Sequence, residues 1–253
     1  MQYDACRFLH ERSHTHKPLV AISACLTGAA VRYDGSDKCQ PGLAWLRDEI
    51  ELLPICPELE AGLGVPRPPV QLVQHSGGVR ALGRDDSSLD VTDALTAAAQ
   101  RSSAQLRALP LCGYLWKSRS PSCGLGSTPL FDRRGQYSGQ YSGQRIGSTS
   151  GLQAHAVATA LPWLAMAEEG VLQSERLAGH FLFGCRLVFD CLHAGTATTA
   201  QVAHHYRALL AALDSRQLAT LLARDDLPAL VTLLVKQVMA ELATGEMKPG
   251  AER

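Results

Sequence analysis

Three cysteines stand in three unlike settings: Ser23-Ala24-Cys25-Leu26-Thr27-Gly28, Ile55-Cys56-Pro57-Glu58 and Ser120-Pro121-Ser122-Cys123-Gly124. Each follows a short apolar stretch and is flanked by small or turn-forming residues, which sets each thiol at the mouth of a strand. A thiolate is the form that binds metal, and it needs positive charge or the metal itself to lose its proton. Three thiols, rather than two or four, suit an iron–sulfur cubane that keeps one iron free of protein ligands. That position can take an anion or the soft sulfur of a substrate. The separations, 31 residues from Cys25 to Cys56 and 67 from Cys56 to Cys123, do not match the compact electron-transfer patterns. Nor are there the paired Cys-x-x-Cys knuckles of structural zinc. A site gathered from distant loops is what an enzyme uses. The competing reading is three ordinary buried thiols, since Cys is among the most buried residue types. It holds for any one of them alone and weakens for the three together.

The neighbours add to the chemistry. Glu58, two residues after Cys56, is a carboxylate that could hold or activate a water or shuttle a proton; the plainer reading is a helix-start carboxylate. Ser120 and Ser122 put hydroxyls beside the third thiol, able to orient a substrate or to hydrogen-bond a cluster sulfur, or simply to serve the turn. Arg32, Arg67, Lys117 and Arg119 follow or precede the cysteine motifs and predict a positive rim that offsets an anionic centre. The prolines of Pro66-Arg67-Pro68-Pro69 fix the backbone and aim Arg67 inward. Tyr33-Asp34-Gly35 reads as a tight turn, with Asp34 structural. Cys112 ranks below the three because its strand leads toward Cys123 but is itself apolar. Cys6, Cys39, Cys185 and Cys191 read as ordinary thiols. The nine histidines show no metal spacing, and adjacent His204 and His205 point about 100° apart on a helix. There is no phosphate-binding loop, dinucleotide glycine fingerprint or Gly-x-Ser-x-Gly elbow.

The elements that must position these residues are short strands separated by helices. Leu19–Ser23, Glu49–Ile55 and Leu109–Trp116 are the apolar runs that end at the cysteine motifs. Between the second and third lies an Ala-rich helix, Thr92–Ala108, capped by Asp90 or Thr92. Alternating strands and helices predict an α/β domain, a mainly parallel, Rossmann-like sheet flanked by helices. In such sheets ligands sit outside the carboxyl ends of the strands, where all three thiols fall. The tandem Gln-Tyr-Ser-Gly repeat, Gln136–Gln144, reads as a surface hairpin tip or insertion, with a lid over the site as the alternative. From about residue 174 the pattern becomes helical. Thr198 or Thr199 caps one helix, Asp214 and Gln217 have capping-box spacing for the next, and Asp226 before Pro228 starts a last one with Leu230, Leu234, Val238 and Leu242 on one face. The organisation predicted is a polar leader over 1–17, an α/β domain over 18–172, and a helical annex over 173–253 with a frayed tail beyond Thr244.

At 253 residues the chain can bury a core without disulfide staples. Lys+Arg and Asp+Glu are both 24, so no concentrated basic excess invites a phosphate backbone, although a single nucleobase is not disfavoured. No run approaches the roughly 20 apolar residues a bilayer needs, and the N-terminus lacks the basic-then-apolar pattern of a secretion signal. A cytoplasmic protein is expected, in which eight cysteines are thiols or ligands rather than a disulfide framework.

Taken together, the cysteine motifs, Arg32-Tyr33-Asp34-Gly35, Gly62-Leu63, Pro66-Arg67-Pro68-Pro69 and Lys117-Ser118-Arg119-Ser120-Pro121-Ser122-Cys123-Gly124 resemble the TudS-type thiouracil desulfurase family, in order from about Leu19 to Glu169. The resemblance implies a [4Fe-4S] cluster held by only three cysteines, mapping onto Cys25, Cys56 and Cys123, with one open iron. It implies a small thiolated nucleobase as substrate, sulfur abstraction without net redox change, and replacement of sulfur by water. Glu58 and Ser122 match the positions that assist. The repeat loop departs from the short glycine-rich segment such proteins carry, and the annex resembles the C-terminal partner domain of some relatives only loosely, so no protein partner is assigned to it. Two other classes stand beside this reading: a metal-free hydrolase or sulfur transferase with Cys123 as nucleophile, and a non-enzymatic iron–sulfur sensor.

Overall fold

Val20, Ala21 and Ile22 have no exposed surface, which is what a central strand buried on both faces requires. The computed structural model describes residues 17–132, 136–137, 140–141, 145–194, 197–211 and 215–244. Its strands are β1 (Leu19–Ser23), β2 (Glu51–Ile55), β3 (Val70–His75), β4 (Gly78–Gly83), β5 (Leu111–Trp116), β6 (Thr128–Phe131), β7 (Gln136–Tyr137), β8 (Gln140–Tyr141), β9 (Arg145–Thr149) and β10 (Ala165–Glu168). The described helices are α1 (Pro57–Glu60), α2 (Thr92–Arg107), α3 (Leu152–Ala160), α4 (Glu175–Val188), α5 (Thr199–His205), α6 (Arg207–Leu210), α7 (Ser215–Arg224) and α8 (Leu227–Thr244).

The main sheet has the order β10-β5-β1-β2, and every neighbouring pair in it is parallel. The α/β class read from the sequence is therefore the class observed. Ser23 pairs with Ile55, Ile22 with Leu115, and Trp116 with Glu168, so the carboxyl ends of all four strands share one rim. A second sheet, β4-β3-β6-β9, mixes parallel and antiparallel pairs beside that rim. Its short strands do not stand out from loop in the sequence. The Gln-Tyr-Ser-Gly repeat forms an antiparallel ribbon, Gln136 opposite Tyr141 and Tyr137 opposite Gln140, which is the hairpin reading. Its residues 138–139 and 142–144, the leader through residue 16, Asp214 and the tail beyond Thr244 lie outside the described residues.

Helices cover both faces of the main sheet. On one face Ala21, Leu111, Tyr114 and Trp116 pack with Leu106 of α2 and Ala154 and Val157 of α3. Gln153 Nε2 donates to Ser102 Oγ at 2.8 Å and locks those helices together. On the other face Val20, Ile22, Cys112 and Leu115 pack with Phe181, Cys185 and Val188 of α4, and the same cluster continues to Leu230, Leu234 and Val238 of α8. Val231 and Val235 are buried as well, so α8 presents a broad apolar face rather than the single four-residue stripe read from its sequence. Contact between α4 and β5 is close enough that a Cβ on Gly113 would come within 2.6 Å of Cys185 Sγ. His180 Nε2 donates to the Val238 carbonyl at 2.7 Å, tying α4 to α8.

The caps are largely those expected. Thr198 makes a full capping box with Gln201 at α5. Asp226 Oδ1 accepts from Ala229 N at the start of α8. At α2, Asp90 Oδ1 accepts the Thr92 N–H, while the Thr92 hydroxyl oxygen accepts from Ala81 N and so ties the helix to the second sheet. Among the described residues no helix is long and apolar enough to cross a membrane.

Candidate active site

Each of the three thiols is delivered by a different turn at the carboxyl rim. After β1 the chain makes a single 3-10 turn, Ala24–Thr27, which Gly28 ends at φ 93°, a left-handed conformation that glycine adopts without strain. Cys25 sits in that turn, buried, and its carbonyl accepts the Lys38 N–H at 2.8 Å. Cys56 directly follows β2 and caps α1, with Pro57 at the first helical position. Cys123 lies in the loop after β5. Ser120 Oγ accepts the N–H groups of Ser122 and Cys123 at 3.2 and 3.1 Å, and the Ser120 carbonyl accepts Gly124 N and Thr128 Oγ1. Only glycine fits next to this thiol: a Cβ on Gly124 would meet Thr128 Oγ1 at 2.1 Å, and one on Gly151 would meet the Ser122 carbonyl carbon at 2.5 Å.

The three thiols line one cavity of about 310 Å³, together with Ser23, Glu58, Ser120 and residues of the second sheet's edge, a size within the ~300–1,000 Å³ of small-molecule sites. Among the described residues Glu58 is the one carboxylate in its wall, against six cationic side chains: Arg32, Lys38, Arg67, Arg84, Lys117 and Arg119. Such a surplus favours anionic contents. Arg67 is nearly buried and fully engaged. Its Nε donates to Glu58 Oε2 at 2.7 Å, Nη1 to the Gly64 carbonyl at 2.8 Å and Nη2 to the Val31 carbonyl at 2.9 Å. The other carboxylate oxygen, Oε1, accepts from Ser122 Oγ at 3.1 Å. Glu58 is thus clamped on both oxygens. Ser122 has no exposed surface and reaches the cavity through Glu58, whereas Ser120 lines it directly. Asp34 accepts from Ser36 within the Arg32–Ser36 turn, the structural part read for it.

Lys117 is balanced from below by Glu169, whose Oε1 lies 2.6 Å from Nζ while Oε2 accepts the Ser118 N–H. Burial pushes the Glu169 carboxyl up, but the hydrogen bonds from Lys117 and Ser118 outweigh it and hold the group below the ordinary range. Glu168 accepts from Leu125 N at 2.7 Å and from the Ser127 hydroxyl. The two adjacent carboxylates at the end of β10 therefore pin both ends of the Cys123 loop. The sequence gives them no role, nor Lys38 or Arg84, and it names Ser23 only as the first residue of the first cysteine motif.

Electrostatically the thiols oppose one another's ionisation. Burial first, then Cys56, raises Cys25 to about 11, against the pull of Lys117 and Arg32. Burial also raises Cys56, partly offset by the backbone N–H of Leu59. Cys123 is pushed up further than Cys25, by burial first, with Ser23 hydrogen-bonding to it in the opposite sense and Glu58, Cys25 and Cys56 adding to the rise. Soft donors that resist losing their protons individually suit a centre that takes all three as thiolates at once. Among the described residues no group of three Cys, His, Asp or Glu side chains is placed to hold a single metal ion. The donor set, a thiol from each of three loops around one roomy cation-rimmed cavity, fits a larger sulfur-ligated group. Cys112 faces away: β5 shifts register beside Leu19/Val20, and Cys112 packs in the cluster under α4.

Comparison with known proteins agrees with the motifs. A family model described as 2-thiouracil desulfurase matches residues 20–169. An uncharacterised protein, YbbK of Bacillus subtilis (strain 168), is 30% identical over 112 residues, 43% of this chain and 74% of that protein. A solved structure described as the [4Fe-4S]-dependent thiouracil desulfidase TudS is 29% identical, with a TM-score of 0.48, covering 64% of this chain and 97% of its own.

Proposed function

This chain belongs to the 2-thiouracil desulfurase family, and on that premise we propose that it hydrolyses the carbon–sulfur bond of a small thiolated nucleobase such as 2-thiouracil. Thiocarbonyl and water become the oxo-base and hydrogen sulfide, with no net change of oxidation state. Cys25, Cys56 and Cys123 hold a [4Fe-4S] cluster through three of its irons and leave the fourth without a protein ligand. When bound, the cluster supplies a soft Lewis acid for the substrate sulfur. The remaining chemistry belongs to the chain. Glu58 accepts a proton from the water that replaces sulfur. Arg67 and Ser122, on its two oxygens, hold the carboxylate toward the cavity so that no reorientation is needed. Lys38, Arg84 and Arg119 form a rim suited to the electron-rich edge of a thiolated base.

The observation that carries this reading is the convergence of three thiols from three separate loops on the cavity that Glu58 faces. The metal-free alternative gains no support from the site: Cys123 is buried with its thiol proton held, and among the described residues lining the cavity there is no histidine to serve as its base. The test is anaerobically reconstituted protein given 2-thiouracil, with uracil and sulfide both quantified. Wild type releases them in equal amounts, Glu58→Gln retains its iron and loses most turnover, and Cys56→Ala loses both. Full turnover by an iron-free Cys56→Ala variant would refute the proposal.

A further inference from the structure

Two described residues other than glycine sit in the left-handed region, Asp225 at φ 51° and Arg119 at φ 59°. Asp225 directly follows α7, where a left-handed residue ends a helix and Asp is a type that tolerates it. Arg119 ends no helix. It lies between the end of β5 at Trp116 and the Cys123 thiol, in the wall of the cavity, and a long side chain there carries a steric cost that glycine would not. The conformation is imposed from both sides. Ser118 N donates to Glu169 Oε2 at 2.5 Å, Arg119 N to Ser127 Oγ at 2.7 Å, and Thr128 Oγ1 to the Ser120 carbonyl at 2.7 Å. No contact of the side chain offsets the cost. Arg67, Lys117, Arg32 and Arg84 each have an oxygen partner. The Arg119 guanidinium is exposed in the cavity wall and has no hydrogen bond or ion pair among the described residues. A cation held at a strained position, with nothing in the protein to bind, points to a ligand.

Resting on the nucleobase reading above, we infer that Arg119 is a specificity-determining residue that grips the substrate by the ring edge beside its thiocarbonyl. The substrate class is then a cyclic thio-imide, with a ring N–H between C=S and C=O, bound as its anion. A guanidinium is a planar fork of donors with no acceptor, so two acceptors side by side match it. Loss of the ring N–H proton leaves such a pair, the ring nitrogen and the carbonyl oxygen, next to the sulfur that departs. Glu58 cannot satisfy the fork instead, because Arg67 and Ser122 occupy its two oxygens. The guanidinium also offsets the ring charge that Glu58 would otherwise repel. A thiolated ring without the carbonyl leaves half of the fork unpaired and is bound less well.

The experiment uses full-length, anaerobically reconstituted Glu58→Gln protein, in which substrate binds with little turnover. It is titrated calorimetrically with 2-thiouracil and with pyrimidine-2-thione, which has the same thioamide and no ring carbonyl. With Arg119 in place, 2-thiouracil binds the more tightly. Adding Arg119→Gln weakens 2-thiouracil by about tenfold or more and largely removes that preference. Arg119→Lys, a point charge without the fork, restores only part of it. Among cluster-free proteins with Glu58 intact, Arg119→Gly melts at the wild-type temperature or above it, because the backbone is relieved and no contact is lost. Equal affinity for the two thiones with Arg119 present would overturn this inference alone. So would a preference that survives Arg119→Gln with iron bound, or one that Arg119→Lys restores in full. A lower melting temperature for Arg119→Gly, or loss of iron from Arg119→Gln, would also overturn it, by making the side chain part of the framework. Iron-loaded Glu58→Gln protein that binds neither thione would overturn the nucleobase reading and this inference together.

Discussion

The molecule carries two sets of three thiols, and burial separates only the half-buried Cys56 from the rest. Cys112, Cys185 and Cys191 are sealed under α4, and Cys25 and Cys123 are nearly as enclosed at the rim. Burial raises the pKa on both sides, Cys112 to about 12 and Cys25 to about 11. The difference lies in what surrounds them. The inner thiols, like Cys25, belong to the apolar cluster of Leu187, Val188 and Phe181, but none of the inner three lines the cavity. The rim set faces Lys117, Arg32, Ser23 and Glu58 around a cavity. A thiol becomes a ligand candidate through its neighbours and its access, and through arriving from a loop rather than from within an element.

The largest test of this contrast removes the cover of the inner set. A chain ended at Leu172 bares Val20, Ile22, Leu115 and Cys112 on one face of the sheet. It is expected to yield no soluble folded protein, and circular dichroism of the purified fragment checks this. A native-like fragment would make the C-terminal helices a separable annex. At the rim, Gly151→Val forces its side chain into the backbone of Ser122 and Cys123; a loss of about 2–3 kcal/mol is expected in denaturant titrations, with iron retention impaired.

Glu169→Gln breaks the ion pair that anchors Lys117 and is expected to cost about 2 kcal/mol at neutral pH. Because folding depresses the Glu169 pKa below its ordinary 4.5, the contribution is complete above that value and is lost as pH falls through the lower folded one. The gap between wild type and variant should therefore close on acidification; a gap that widens there would show the pair misjudged. The smallest effect separates the two thiol sets directly. Cys185→Ala leaves a hole in a sealed core and costs the cluster-free protein about 1–2 kcal/mol, whereas Cys25→Ala, beside an open cavity, costs it less.

Much of this arrangement was legible because the rim strands are written plainly. Leu19–Ser23 is an unbroken apolar run ended by small residues, and β1 has those bounds. The rule that ligands gather at the carboxyl ends of parallel strands then placed the thiols together. What stayed hidden depends on pairing rather than on local pattern. The second sheet is built from strands such as Thr128–Phe131, which contains a proline and is only four residues long, below the length at which alternation can be read. Glu168 and Glu169 follow Cys123 by about 45 residues, and only the register of β10 beside β5 brings them under its loop. Cys112 packs into the core under α4 rather than facing the cavity through a shift of register beside β1, which no composition records. Ser122 adjoins Cys123 in sequence, yet its hydroxyl points to Glu58, a direction that only the fold supplies.

The central claim is that the rim thiols, and not the inner ones, hold an iron–sulfur cluster. Iron and acid-labile sulfide should be measured per chain on protein prepared without oxygen, for wild type, Cys56→Ala and Cys185→Ala. About four of each are predicted in wild type and Cys185→Ala, and almost none in Cys56→Ala. Full iron and sulfide in Cys56→Ala, or their loss in a folded Cys185→Ala, would contradict the account.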